Sequence, residues 1–474
     1  MREDGPEAVF RLADYVCAFS PAPADLRARA RLAVLDILGC MVGAATTPAG
    51  AMIVDAVADR GADGDTTTVS LAAGRRSEDS ALANATLAHM LEFDDGHRPS
   101  DNHLGCVVVP AALAVAEETR ASVGDLLDAI IVGYDVMGRV GEATLLPRRR
   151  SPFHGTGTTG VFAAAAVAAR LLGMNAERTA HAMAIAGTAA AGLRESTNSG
   201  PECKPLHAGR AARNGVESAY LARGGYSGPR EIIEGRHGFC VAMCDEPRPG
   251  LVTDALGERF AVVESGFKVH STCGMLFTML DGVVAARDEF SPRPARPDLL
   301  RVGVPVLLAT EPAFTRRHPR TGGQARFSIS YAVATAWRHG QVLPSDMRPD
   351  RLLDPEIADL EDQVEIVVDP EAEAIYQRTC ADPFFFYPAV VEVGHGSVRR
   401  RSLHTSPRGY DPSQPLTADE VERKFLGVAA PVLGTAEATE LARLVLSCAD
   451  CEPAAELIRR AGSGRTNYEP GRTG

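Results

Sequence analysis

Seven segments with helical spacing follow one another through the first 265 residues, most of them rich in alanine. Ala24–Val42, Asp79–Glu92, Val107–Thr119, Gly124–Gly138, Thr158–Leu172, Ala176–Ala191 and Ala208–Arg223 each place apolar side chains three and four apart. In Ala24–Val42, for example, Leu32, Leu35 and Leu38 form a stripe, while Ala28 and Ala30 permit close approach of a neighbour. Alanine on several sides of a helix lets helix axes come near one another. The series therefore predicts a compact helical domain with some helices buried nearly all round.

The texture changes after Phe267. Arg301–Leu308, Gln363–Asp369 and Ala389–Val393 are short β-branched runs bounded by proline, glycine or charge, and they read as strands. His270–Arg287 and Arg326–His339 read as helices between them. Helical spacing returns from Ala418 to Ala461, including Glu437–Ser447, so the chain is expected to return to the first domain. The fold class is thus mainly α with an α+β insert. Residues 462–474 carry no apolar period and read as a flexible tail.

A net charge of −12 without a long basic block argues against a nucleic-acid partner. The runs Arg148–Arg150 and Arg399–Arg401 read as short solvated faces. No segment approaches the roughly 18–20 apolar residues that a membrane helix requires, so no membrane association is expected. Charged residues and Pro6 near the start do not read as a secretory signal, and ten cysteines are too sparse for a disulfide scaffold. A cytoplasmic protein is the expectation.

Three segments share one design, a basic side chain close to a helix start. They are His103-Leu104-Gly105, His154-Gly155-Thr156-Gly157-Thr158 and Lys204-Pro205-Leu206-His207, where Pro205 suits a first helical position. The unpaired N–H groups of a helix N-terminus attract anions and lower the pKa of a nearby base. If the three starts converge, they make a site for a multiply charged carboxylate, in which a neutral histidine takes a proton from a carbon beside a carboxylate. A single histidine before a helix also reads as a surface residue or a polar cap, and spacing does not establish convergence. Glu92, Asp94 and Asp95 sit at a helix C-terminal end, where acids oppose the dipole. They read either as a solvated turn or as acids that orient a base or bind substrate.

Rival cofactor readings are weaker. Cys448-x2-Cys451 with Cys380 superficially matches a three-thiolate iron–sulfur site, but it lies at the end of a helical pattern without a glycine-rich loop. Cys448 reads instead as a buried helix-end thiol. Cys240 and Cys244 lack matching zinc ligands nearby, and no dinucleotide fingerprint or phosphate loop follows a strand. No metal or other cofactor is expected.

Several blocks in order resemble the MmgE/PrpD enzymes, a family that includes 2-methylcitrate dehydratase and cis-aconitate decarboxylase. They are Ala85–His97, His103–Glu117, Phe153–Gly173, Cys203–Pro229, Gly266–His270 and Ala325–Ala336. The resemblance implies a large all-helical domain formed by both chain ends (1–267 and 405–461), a smaller α+β lid domain (268–404), a homodimer and an active site that uses no cofactor. It also implies that Glu92, Asp94, Asp95, His103, His154 and Lys204 belong to that site, with Lys268 at the start of the lid. The chain departs from the decarboxylase pattern at Glu92, which replaces aspartate, and at Gly96, which replaces threonine. One residue is added before His103, and Cys273 stands for a lid histidine that His270 is placed to substitute.

Together these readings assign His103, His154, Lys204 and Asp94 to catalysis. Glu92, Asp95, Lys268, His207, His270 and Cys273 are assigned to substrate binding. The expected activity is that of a lyase resembling 2-methylcitrate dehydratase, removing water from a small hydroxy-polycarboxylate. Decarboxylation, epimerisation, isomerisation or cyclisation on the same fold stays open, as does a carboxylate-binding protein without turnover.

Overall fold

A computed structural model describes residues 7–61, 63–71, 73–145, 151–196 and 203–462. Among the described residues the protein is mainly α and includes a small mixed sheet of four strands. Its residues pack into two compact units, one drawn from Met1–Leu193, Cys203–Ser265 and Thr417–Gly474, the other from Arg194–Glu202 and Gly266–Leu416.

The first unit is built around the Gly155–Leu171 helix, in which every residue from Thr156 to Ala169 is buried. The Gly105–Thr119, Val123–Thr144, Ala176–Gly187 and Lys204–Arg223 helices pack against it. Small residues make this possible. A Cβ on Gly215 would lie 2.4 Å from the Ala164 Cβ, so these two helices meet backbone to backbone. The C-terminal Ala418–Leu433 helix lies against Ala24–Ala45, and Lys424 reaches the buried Asp36 at 2.6 Å.

Buried acids pin the ends of this bundle. Asp128 receives Arg27, and Asp135 accepts from the Tyr15 hydroxyl at 2.6 Å and the Ala261 N–H at 2.7 Å. Burial pushes the Asp135 carboxyl up to about 6 despite those bonds. An acid raised above its ordinary 3.8 adds stability below that value and loses it as pH rises through about 6. Asp135→Asn keeps an acceptor for Ala261 and carries no charge. It is therefore expected to gain on the parent as pH rises from 4.5 to 7.5, by at most about 3 kcal/mol in urea unfolding. A gap between the two proteins that does not change with pH would contradict this.

In the second unit, β1 (Leu299–Val304) pairs parallel with β2 (Val364–Val368) and antiparallel with β3 (Ala389–His395), which in turn pairs with β4 (Val398–His404). Val302 is set between Ile366 and Val391 by this register. The Phe277–Asp288 helix packs on β3 and β4, the Ile329–His339 helix packs on β2, and the core between helices and sheet includes Trp337, Phe314, Leu300 and Val393.

Several sequence expectations need correction. The strand expected over Arg301–Leu308 ends at Val304, because Pro305 has no N–H for a ladder and instead starts the short helix Val306–Thr310. The helix expected from His270 begins at Phe277, after a 3-10 turn at Gly274–Leu276. The helix expected from Arg326 begins after Ser328, whose side chain accepts the Tyr331 N–H. The pattern from Ala418 to Ala461 is three helices, with Gly434 at φ +84° between the first two. Strand β4 carries Arg399–Arg401 and lacks apolar alternation, which hid it; as an exposed edge its arginines fit the solvated reading and guard against edge pairing. Cys448 is half-buried, with its Sγ accepting from Arg31, and all ten cysteines are free thiols. Arg148–Arg150 and residues 463–474 lie outside the described residues. Among the described residues no single helix is long and apolar enough to cross a membrane.

Candidate active site

The Ser77–Met90 helix delivers His89 in its last turn and stops, and the chain turns through Glu92 at φ +50°. A non-glycine residue in the left-handed region costs of order 1–3 kcal/mol and persists where the surroundings hold it. Here the surroundings are polar. The Lys204 ammonium donates to Glu92 Oε2 at 2.5 Å and to His89 Nε2 at 3.0 Å. His89 Nδ1 lies 2.8 Å from Asp94 Oδ2.

These partners define the His89 tautomer. The Asp94 carboxylate accepts from Nδ1–H, so Nε2 carries the lone pair that accepts from Lys204. His89 is fully buried, and burial lowers its pKa to about 4; the Lys204 charge adds to this and Asp94 opposes it. Burial works against the charge on Asp94, but His89 and His103 beside it hold its carboxyl well below the usual range.

His103 precedes the Gly105–Thr119 helix. Its backbone N–H donates to Thr156 Oγ1 at 3.1 Å, and its Nδ1 lies 3.1 Å from the Asp95 carbonyl oxygen. A carbonyl only accepts, so His103 carries its proton on Nδ1 and presents Nε2 as the base. Two carboxylates flank this ring, Glu92 Oε1 at 3.5 Å from Nε2 and Asp94 Oδ2 at 3.4 Å from Nδ1. They are placed to stabilise the imidazolium that forms when Nε2 takes a proton.

His154 is the N-cap of the Gly155–Leu171 helix, and its Nδ1 lies 3.2 Å from Nδ1 of His207, one turn into the Lys204–Arg223 helix. Burial, then Lys204 and the neighbouring rings, hold His154 well below the usual histidine range, and burial with Lys204 and Arg210 lowers His207. Ring centroids of His89 and His103 are 4.6 Å apart, those of His89 and His154 5.4 Å, and those of His103 and His154 6.4 Å. The three helix starts identified from sequence therefore meet.

Asp95 is close by but turned away. Its Oδ1 accepts the Gly105 N–H at 2.9 Å and its Oδ2 the Tyr134 hydroxyl at 2.8 Å, with no exposed surface. A Cβ on Gly105 would sit 2.5 Å from that Oδ1, so only glycine allows the bond. Burial, with Asp36 nearby, pushes the Asp95 carboxyl up to about 7. The structure gives Asp95 the role of anchoring the helix start behind His103.

Family models for the MmgE/PrpD N-terminal domain and C-terminal domain match residues 10–251 and 270–450. The chain belongs to the MmgE/PrpD family. Among curated relatives, a cis-aconitate decarboxylase-like protein, oryM, of Aspergillus oryzae is 26% identical over 94% of this chain and 95% of its own. The cis-aconitate decarboxylase of Aspergillus terreus is 25% identical over 92% of each chain, and that of Homo sapiens 24% over 80% of this chain and 78% of its own.

The remaining candidates of this MmgE/PrpD chain lie in its second unit. Lys268 is buried, donates to the Thr272 carbonyl at 3.5 Å and lies 5.9 Å from the Phe277 ring centre. His270 Nδ1 accepts the Val342 N–H at 3.2 Å and its Nε2 lies 3.3 Å from Asp281, so both ring nitrogens are engaged within that unit. Cys273 is half-buried, and its backbone N–H donates to the Arg326 carbonyl.

His89 was not among the residues singled out from sequence, although it stood inside the Ala85–His97 block. Its position three residues before Glu92, in the last turn of a helix, was the available signal. As for metals, one ring nitrogen from each of His89, His103 and His154 lies within 4.8 Å of the others. A second group, His97 with Glu142 and Glu264, is bridged by Arg259 at 2.6 Å from Glu142 and 3.4 Å from Glu264, so a guanidinium already supplies its positive charge.

Proposed function

We propose that this protein is a lyase acting on a small polycarboxylate, using proton transfer and charge stabilisation by its own side chains. The observation that carries the reading is the fixed tautomer of His103. Its Nδ1–H is committed to the Asp95 carbonyl, leaving Nε2 as the base of a ring flanked by Glu92 on the Nε2 side and Asp94 on the Nδ1 side. Lys204, and the first-turn N–H groups of the Gly155–Leu171 and Lys204–Arg223 helices, form the anion-seeking side of the cluster.

In the elimination reading, His103 Nε2 removes a proton α to a carboxylate. The electron pair from the C–H bond forms the new double bond as the β-hydroxyl departs, and the proton taken up by His103 is returned to that hydroxyl beside the neutral His154, so that it leaves as water. Lys204 offsets charge developing on the carboxylate in the transition state. The names of the relatives favour a second outcome on the same residues. In it the bond to CO₂ breaks, and the carbon receives a proton from a protonated His103. General acid–base assistance supplies typically 10²–10⁴-fold, so orientation and electrostatics supply the rest. A homodimer is part of the proposal, and light scattering measures it. The assignment of Lys268, His270 and Cys273 to substrate rests on the sequence resemblance alone.

The test is proton NMR in D₂O with citrate, 2-methylcitrate and cis-aconitate, alongside measurement of released CO₂. Loss of water supports the first outcome and loss of CO₂ the second. Calorimetric binding of one of these acids without turnover would point instead to a carboxylate-binding protein. The absence of both binding and turnover across the panel would overturn the proposal.

A further inference from the structure

We propose that Tyr134, in the middle of the Val123–Thr144 helix, is a positioning residue that holds the tautomer of His103 through Asp95. The role rests on the proton-transfer reading above and extends it to a residue outside the histidine cluster.

His103 stands between competing acceptors. Glu92 Oε1, 3.5 Å from Nε2, draws the ring proton to the nitrogen that must stay bare, whereas the Asp95 carbonyl, 3.1 Å from Nδ1, draws it away. Asp94 Oδ2 lies 3.4 Å from the same Nδ1 but is already engaged by His89 Nδ1 at 2.8 Å. The Asp95 carbonyl therefore decides which nitrogen is the base. Hydrogen bonds weaken steeply with misalignment, so a small shift of that carbonyl changes the balance.

That carbonyl is held in place by the side chain of its own residue. Asp95 Oδ1 accepts the Gly105 N–H at 2.9 Å, which ties Asp95 to the chain just beyond His103. The Tyr134 hydroxyl donates to Asp95 Oδ2 at 2.8 Å and ties the same carboxylate to a different helix. With both oxygens bound, the carboxylate cannot turn without breaking a bond. A Cβ on Gly105 would lie 2.5 Å from Asp95 Oδ1 and 2.5 Å from the Tyr134 hydroxyl, so the glycine leaves room for both. Neither Tyr134 nor Asp95 has exposed surface, so bulk solvent does not replace the phenol when it is removed. Burial and the Asp36 charge raise the Asp95 carboxyl, and the phenol and the Gly105 N–H draw it back down. Without the phenol the carboxyl takes up a proton more readily, donates as well as accepts, and is no longer fixed at Oδ2.

The experiment uses the full chain with isotopically labelled histidine, whose proton–nitrogen correlation spectra report the tautomer of each ring. The His103 signals are assigned by their loss in His103→Gln. They are expected to show Nδ1–H in the parent and, in Tyr134→Phe, an Nε2–H population of roughly a third or more. With the substrate found in the panel above, Tyr134→Phe is expected to lower kcat by about fivefold or more while KM changes less than about twofold. Asp95→Ala removes the same tie from its other end, is expected to shift the tautomer likewise, and decides the matter if Tyr134→Phe does not fold. Tyr15→Phe is the control, because it removes a matching phenol–carboxylate bond, to Asp135 of the same helix. It is expected to lower the thermal transition while leaving the His103 spectrum and kcat as in the parent. A parent-like tautomer in Tyr134→Phe or Asp95→Ala would overturn the proposal, as would an equal fall of kcat in Tyr15→Phe. The spectra require no turnover. Failure of the lyase reading, seen as a panel without turnover or as full activity in His103→Gln, is therefore distinguished from failure of the tautomer tie.

Discussion

His103→Gln is expected to lower kcat at least a hundredfold, with the thermal transition of the protein moved by no more than a few degrees. His103 has Nδ1 committed to a backbone carbonyl and Nε2 facing the Glu92 carboxylate, which suits it to taking a proton. Loss of a positioned acid–base group costs typically 10²–10⁴-fold. Glutamine keeps an N–H for the Asp95 carbonyl, which limits the structural loss. Two further readouts separate chemistry from structure. KM is expected to change less than kcat, because carboxylate binding falls to Lys204 and the helix N-termini. Added imidazole is expected to restore part of the activity of His103→Ala. Near-normal turnover by both His103→Gln and His154→Ala would sink the catalytic assignment.

Lys424→Met is expected to cost about 3–5 kcal/mol in urea unfolding, the range for removing one partner of a buried ion pair. Lys424 Nζ lies 2.6 Å from Asp36, with the two side chains 7% and 0% exposed. It also donates to the Phe93 carbonyl at 2.6 Å and lies 4.1 Å from the Phe93 ring centre. Burial already raises the Asp36 carboxyl, and the Lys424 charge is the strongest influence opposing it. Without the ammonium, Asp36 must remain protonated or drive the unit open, so the deficit is expected to shrink as pH falls. Asp36→Asn added to Lys424→Met is expected to recover most of the loss. The Phe93 bond ties this pair to the turn between Glu92 and Asp95, so kcat is expected to drop as well. A loss below about 1 kcal/mol would show that the pair does not hold the turn.

The helical segments were legible because their signal is local. Spacing of three and four sets which side chains share a face, and the abundance of alanine through Val161–Ala169 matches a helix buried all round. The strand at Val398–His404 was not legible, since three arginines in a row carry no alternation and the strand exists only by pairing with Ala389–His395. Likewise Pro305, visible in the sequence, was read through as strand although it has no N–H to donate and in the structure begins a helix.

The candidate site divides in the same way. That His103, His154 and Lys204 stand at helix starts is a property of short stretches of chain, and the sequence contains it. That His89 accepts from Lys204, 115 residues away, or that Lys424 holds a turn 331 residues earlier, is not contained in any window of sequence. Asp94 and Asp95 are adjacent and chemically identical, yet one faces two imidazoles and the other a helix N-terminus and a tyrosine. The physical reason is that helix formation and helix starts depend on backbone groups a few residues apart. Tautomer, pKa and charge pairing depend on which distant side chains close packing places within a few ångströms.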